Sequence, residues 1–524
     1  MTRSRFAAWS IIAALSIAGV GVPVSTRAAP AGPTTFIVGN RDPVSFNPNY
    51  DFVGNAYYVA PNVLDKLVEI STLGDVIPSL TRSWRVSPDG KVYTLTLASG
   101  VRWHDGKPFT ADDVKFTVES VVKEKGVAAK LLAGVTRIET PNPTTVVITL
   151  AEPDATFLNT LGTYYGFFIL PKHLYERTDV RRNSYNWKPV GTGPFRFVEW
   201  IKGSHLTLEV NPEHFKGRPA IDRLVFKFIE EVPVALVALQ AGEIHTTQLS
   251  VSYGEVERLR RNQSLATEME PSPILVWLGF NLRKKPFADA RVRRALAAAI
   301  DRDALARIVY RQMVRPAHGT YLESVKWAFN PQAKQPAYDR KEAEGLLDDA
   351  GYPRGTDRRR MSLTISTFRG SALWGLPETA FFIKSQLQKI GVDVSIDMTD
   401  FAAWTDKVNR RGEFDMAIAG GIHGPEPSNF AEFVASNGVR NAMAYKNPRV
   451  DELFHRARLT ADREQRAGYY RQIQAIIAED LPRVSLVLYT FPRVWRKGFT
   501  GMYWQEGFRD RAPQHYFGFV KPQP

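Results

Sequence analysis

The chain contains no cysteine. That excludes disulfides, thiolate catalysis, cysteine-ligated zinc or iron–sulfur sites, and a lipid-modified amino-terminal cysteine. Past Pro30 there is no uninterrupted apolar run approaching the length of a membrane span. The sequence also lacks a GxSxG elbow, a GxxxxGK(S/T) loop, an HExxH pair, and a GxGxxG opening a helix after a strand. Its nine histidines never recur three or four residues apart, so no helix face carries a metal pair. His104, in Trp103-His-Asp-Gly106, reads as a turn residue, and Asp112-Asp113 and Asp348-Asp349 read as a helix start and a solvated face. Nothing singles out a catalytic pair, so an enzyme, a metal site or a cofactor is not expected. A secreted hydrolase is the alternative from another class.

The 524 residues, 44% hydrophobic and 23% charged, are those of a globular protein of two or three domains. At the amino terminus Arg3 and Arg5 precede an apolar stretch from Phe6 to Val22, broken at Pro23 and followed by Ser25-Thr-Arg-Ala-Ala-Pro30. This is a basic region, an apolar region and a small-residue cleavage site, with the cut expected after Ala28. Residues 1–28 are therefore read as a signal peptide, and the mature protein is expected in the periplasm of a Gram-negative cell. Their removal takes three arginines and no acid, lowering the formal net charge from +14 to +11. Export argues against a nucleic-acid partner for this basic chain, and an acidic solute is compatible with it. The cluster Arg358-Arg-Arg360 reads as a solvated loop.

Thr35-Phe-Ile-Val38, stopped by Gly39-Asn40, has the strand-then-loop pattern of an α/β domain. Ala60 to Ile70 has helical spacing behind Pro61. Trp84-Arg-Val, the turn Ser87-Pro-Asp-Gly90 and the alternating run Tyr93 to Leu97 predict a hairpin, and Thr110-Ala-Asp-Asp113 starts a helix. Strands are predicted at Thr144–Leu150, Phe195–Trp200 and His205–Val210, and a helix from Glu231 to Ala241. Leu275 to Asn281 is a further strand, and Asp289 caps one helix running to Val309. A βαβ unit follows, from strand Leu363–Phe368 through helix Phe381–Ile390 to strand Val392–Ile396. Phe414–Ala419 and Val484–Tyr489 are the last strands expected.

Several runs are distinctive in sequence: Leu64-Asp-Lys-Leu-Val-Glu69, Ile77-Pro-Ser-Leu-Thr-Arg-Ser-Trp84, and Gly100-Val-Arg-Trp-His-Asp-Gly-Lys-Pro-Phe-Thr-Ala-Asp-Asp-Val114. Val190-Gly-Thr-Gly-Pro-Phe195, Phe215-Lys-Gly-Arg-Pro219, Pro286-Phe-Ala-Asp-Ala-Arg-Val-Arg-Arg-Ala-Leu296 and Asn429-Phe430 follow in order. Together they span the mature chain, which strongly resembles the family 5 extracellular solute-binding proteins, the dipeptide/oligopeptide-type receptors of ABC importers.

The resemblance implies an α/β, two-lobed periplasmic-binding-protein fold (type II, cluster C-like) with an extra β-rich subdomain in the larger lobe. The expected division is 29–279 as lobe I, with the subdomain at about 75–185, 280–488 as lobe II, and 489–524 returning to lobe I. Crossings are expected near Gly279-Phe280 and Leu488-Tyr489. The implied partners are a small-molecule or short peptide solute and the permease subunits, the protein being a monomer that meets the membrane only through the permease. The family also includes binders of opines, oligosaccharides and chelated nickel, which are alternative solutes. Ligand-binding residues are expected on loops after strand ends. They are Asn40 after the first strand, Arg369 and Trp374 after another, and His423 and Glu426 after a third, with Tyr165 as a cleft aromatic. Arg369 is the candidate for a peptide carboxylate. His423 stands where peptide receptors commonly carry an aspartate for the α-ammonium, with Glu426 as the residue that would substitute.

Overall fold

The computed structural model describes residues 33–50, 56–71, 75–162, 167–369, 375–509 and 513–523. The expected signal peptide, residues 1–28, lies outside them. Most strands join one mixed sheet of eleven, organised by two long strands, Leu265–Phe280 and Arg483–Arg496, which pair antiparallel. Their other partners change midway. The outer half of the second long strand leads through Thr246–Thr247 to Thr35–Asn40, Arg223–Phe228, His205–Val210 and Phe195–Ile201. The 274–280 half of the first leads instead to Met416–Ile422, Met361–Phe368 and Val392–Thr399.

Between these two groups the ladder breaks. Pro271 faces Thr490 and Leu275 faces Leu488, so three residues on one strand oppose one on the other. Such a bulge bends and twists the pair locally. Ser272 bridges it, donating from Oγ to the Tyr489 carbonyl at 2.8 Å and accepting from the Ile274 N–H at 3.2 Å. Gly279 and Phe280, where the first crossing was expected, pair with Ala417 and Met416 well inside the second group. Leu488 and Tyr489 lie at the break itself.

A separate antiparallel sheet of four strands, ordered Thr81–Val86, Val92–Leu97, Thr145–Leu150, Val135–Asn142, packs on helix Ala111–Lys123. Its apolar layer includes Leu95, Trp103, Val118, Ile148 and Phe157. The helix opens with a reciprocal Thr110–Asp113 capping box, as its sequence predicts.

Two expected helices differ. Ala60 to Ile70 gives only a short turn, Ala60–Asn62, and then strand Val68–Ile70 paired with Val76–Pro78. The cause is tertiary: the Gly191-Thr-Gly193 turn presses on Val63, and a Cβ on Gly191 would lie 1.7 Å from the Val63 carbonyl oxygen. The Gly193 N–H donates to that oxygen at 3.0 Å, fixing the chain out of helix. The run from Asp289 is two helices, Ala290–Ala298 and Arg302–Ile308, because Asp301 caps a fresh start by accepting from the Ala304 N–H.

His104 clamps the same glycine turn. Its Nδ1 accepts from the Gly191 N–H at 3.1 Å, and its Nε2 donates to the Gly193 carbonyl at 3.0 Å. Burial pushes its pKa down to about 4 from 6.5, so the folded protein holds it neutral. The unfolded chain then binds more protons between these values, and stability present above pH 6.5 is lost as pH falls towards 4. At pH 5.5 this histidine should lower stability by about 1 kcal/mol relative to pH 7.5. Urea titrations at the two pH values, with His104→Gln flattening the difference, check this.

The carboxy-terminal part of the second group holds helices Pro448–Leu459 and Arg463–Asp480, capped by Asn447 and Asp462. Where they meet they touch the four-stranded sheet's region. Arg458 Nε lies 3.2 Å from Asp154, the Ala155 N–H donates to the Arg458 carbonyl at 2.8 Å, and Arg463 Nη2 lies 2.9 Å from Asp75.

Candidate functional site

The registers fix where the parallel strands end. In the first group, Val38 pairs with Thr246 and Thr246 with Trp495, so Thr35–Asn40 and Thr246–Thr247 run towards the break. In the second, Ile422 pairs with Ile274, and Met361–Phe368 is parallel to that strand. Both sets of carboxyl ends therefore converge on the break between the groups, the side on which open α/β sheets bind ligands.

Asn40 ends the first of these strands and is buried, with Nδ2 lacking a hydrogen-bond partner among the described residues. One register position across lies Gln248, whose Nε2 and Oε1 are likewise buried and unpaired. The Gln248 N–H donates to the Gly39 carbonyl at 2.9 Å, which locks the two ends together. An unpaired buried amide costs about 1–3 kcal/mol, and this pair offers donors and an acceptor to an incoming amide group. Gln248 was missed from sequence; its only signal was a polar residue directly after a short strand.

In the second group Arg369 follows Phe368 at a strand end. It is exposed, its N–H donates to the Thr399 carbonyl at 2.8 Å, and its side chain has no bond to a described residue. The Thr367 hydroxyl beside it is buried and unpaired. Trp374 and Tyr165 lie outside the described residues.

His423 is placed inside the fold. It is fully buried, with Nδ1 donating to the Gly421 carbonyl at 2.5 Å and Nε2 accepting from Arg483 Nη1 at 2.9 Å. Its ring stacks on Phe433 at 4.0 Å between centroids. Burial and the Arg483 charge hold its pKa well below the ordinary histidine value, so the ring is neutral. Glu426 is also engaged: Oε1 accepts from Arg466 Nη2 at 2.6 Å and from the Tyr470 hydroxyl at 3.2 Å. Burial pushes this carboxyl up against the opposing pull of Arg466. Neither residue presents a free negative charge. Among the described residues no group of three or more histidines and acids could hold a metal, and no helix is long and apolar enough to cross a membrane.

The profile of the bacterial extracellular solute-binding proteins, family 5 Middle, matches residues 75–441. The chain belongs to this family. Di/tripeptide-binding protein 2 of Pseudomonas aeruginosa is 30% identical over 507 residues, covering 91% of each chain. Among solved structures, the ABC transporter substrate-binding protein CtaP of Listeria monocytogenes superposes with a TM-score of 0.83 at 26% identity, over 94% of this chain and all of that one. The periplasmic binding protein DppA of Helicobacter pylori, solved with the peptide STSA, gives 0.73 at 27% identity, covering 94% of this chain and 99% of that one. The two-group sheet joined by paired long strands is thus that of a family 5 solute-binding protein.

Proposed function

We propose that the chain is the periplasmic substrate-binding component of an ABC importer, that it captures a peptide-like solute between two lobes, and that it passes the solute intact to a membrane permease. The lobes are the strand group containing Thr35–Asn40, with the four-stranded sheet and the carboxy-terminal stretch, and the group between the break at 271–275 and the break at 488–490. The observation that carries the reading is the convergence of both sets of strand ends, with unpaired Asn40, Gln248 and Thr367 side chains, on one bulged crossing. A bulged crossing is suited to hinge motion, and a solute bonded from both sides favours the closed form. The peptide names of the relatives support the solute class.

Closure is also favoured by ion pairs remote from the crossing. Arg458–Asp154 and Arg463–Asp75 join the lobes near the surface, with only Asp154 mostly covered, each worth about 0.2–1 kcal/mol. The Asp75→Asn, Asp154→Asn double variant should open the solute-free protein, and about 0.5 M salt should do the same to the unaltered protein by screening. Small-angle scattering reads both as a larger radius of gyration. Scattering with pooled short peptides tests the whole reading: the radius should contract, and mass spectrometry should recover the peptides uncut. No contraction with any pool, or cleaved product, would reject it.

A further inference from the structure

Arg311 and Gln312 both hold the left-handed backbone conformation, with φ of 53° and 61°, and no other two consecutive residues do so among the described residues. A Cβ crowds the following carbonyl oxygen in that region, so the conformation persists only where the surroundings impose it.

The surroundings here come from both lobes. Tyr310, immediately before, is anchored in the second lobe: it is fully buried, its hydroxyl lies 2.8 Å from Thr379 Oγ1, and its ring packs on Gly375, where a Cβ would come within 3.2 Å. Thr379 is in the first turn of helix Leu376–Lys389, the helix that follows the strand ending at Phe368. Arg311 is anchored in the first lobe, with Nη1 2.5 Å from Glu257 in helix Tyr253–Leu259. Met313, immediately after, is held at the break between the lobes. Thr490 Oγ1 donates to its carbonyl at 2.5 Å, and the Tyr253 hydroxyl donates to the Thr490 carbonyl at 2.9 Å. Arg315 and Pro316 then pair with Leu488 and Val487 of the second long strand. The chain from Tyr310 to Met313 is thus fixed in turn to one lobe, to the other and to the crossing, and the two residues in its middle carry the strain.

We propose that Tyr310–Met313 is a spring across the hinge: the strain at Arg311 and Gln312 is held in the joined form, is released as the lobes part, and so sets how much solute binding must supply to shut them. The proposal concerns the regulation of the site described above and rests on the two-lobe reading. The lobes are joined in this structure, through Arg458–Asp154 and Arg463–Asp75. Parting them carries Glu257 away from Tyr310 and lets the segment between return to ordinary backbone angles. The strain and the remote ion pairs then act in opposite directions on one equilibrium.

Gln312 is the probe, because its side chain is exposed and bonds to no described residue, so a substitution there acts through the backbone. Gln312→Gly and Gln312→Asn tolerate the left-handed region and should favour the joined form, whereas Gln312→Val, branched at Cβ, should disfavour it. Small-angle scattering of the solute-free mature protein should give a radius of gyration that falls from the valine variant, through the unaltered protein, to the asparagine and glycine variants. Calorimetry with a mixed tripeptide and pentapeptide pool should show about two- to fivefold tighter binding for Gln312→Gly and at least about threefold weaker binding for Gln312→Val. In a Glu257→Ala background these differences should shrink at least about twofold, since the first lobe no longer holds Arg311. Urea unfolding supplies the structural control. Variants that move the unfolding midpoint but leave radius and affinity unchanged would show the strain to be local and overturn the proposal. Undiminished differences in the Glu257→Ala background would overturn it as well. An ordered series of radii with no peptide bound by any variant would sink the peptide reading and leave the spring standing.

Discussion

Replacing Glu270 by alanine should lower the unfolding free energy by about 3–5 kcal/mol, because it breaks a buried ion pair from one side. Glu270 is completely buried, and its Oε2 lies 2.6 Å from both Nε and Nη2 of Arg493, which is itself only 8% exposed. The pair ties the two long strands together immediately before the bulge, where Glu270 stands opposite Phe491. Arg493 also lies over the rings of Phe491, Tyr503 and Trp504, so the guanidinium cannot swing out to water without unpacking them. Removing the carboxylate takes the Glu270 partner from that buried cation and leaves the cation in place. The double variant Glu270→Ala, Arg493→Met should recover much of the loss, since apolar replacement of a whole buried pair is often neutral. Urea unfolding followed by circular dichroism gives the three midpoints. A Glu270→Ala loss below about 1 kcal/mol would show the pair to be dispensable to the crossing.

Local chemistry made much of the fold readable. The capping box at Thr110, the turn Ser87–Gly90 and the helix ending at Ala241 act within one helical turn or hairpin, and each stands where the residues predict. The failures came from distant partners. Ala60 to Ile70 has helical spacing, yet the Gly191–Gly193 turn, more than a hundred residues away, holds Val63 out of it. The break in the long-strand pair lies at 271–275, where the first long strand turns from the half-buried, polar run 266–269 to the fully buried, apolar run 274–280. Helices Pro448–Leu459 and Arg463–Asp480 went unread, and with them the cations at Arg458, Arg463 and Arg466. At the site, strand ends were legible as loops after apolar runs. The direction a side chain takes from such a loop was not, and His423 and Glu426 turn inward to partners on other elements.

Arg369 is the opposite case, a strand-end residue left facing solvent, and Arg369→Ala should weaken binding of a carboxylate-bearing solute at least about tenfold, or about 1.5–3 kcal/mol for a charge-assisted contact. Its backbone is anchored to Thr399, while the nearby cation Lys407 is already paired with Asp397 at 2.6 Å. Among the described residues the Arg369 side chain has no hydrogen-bond partner, so its donors are open to a carboxylate. The planar fork binds a carboxylate through two parallel bonds, so Arg369→Lys should restore only part of the affinity. Calorimetry with peptide pools carrying free or amidated carboxyl ends separates a carboxylate contact from packing. The unaltered protein should prefer the free carboxyl, and Arg369→Ala should bind both forms alike. Unchanged affinity in the variant would reject the role.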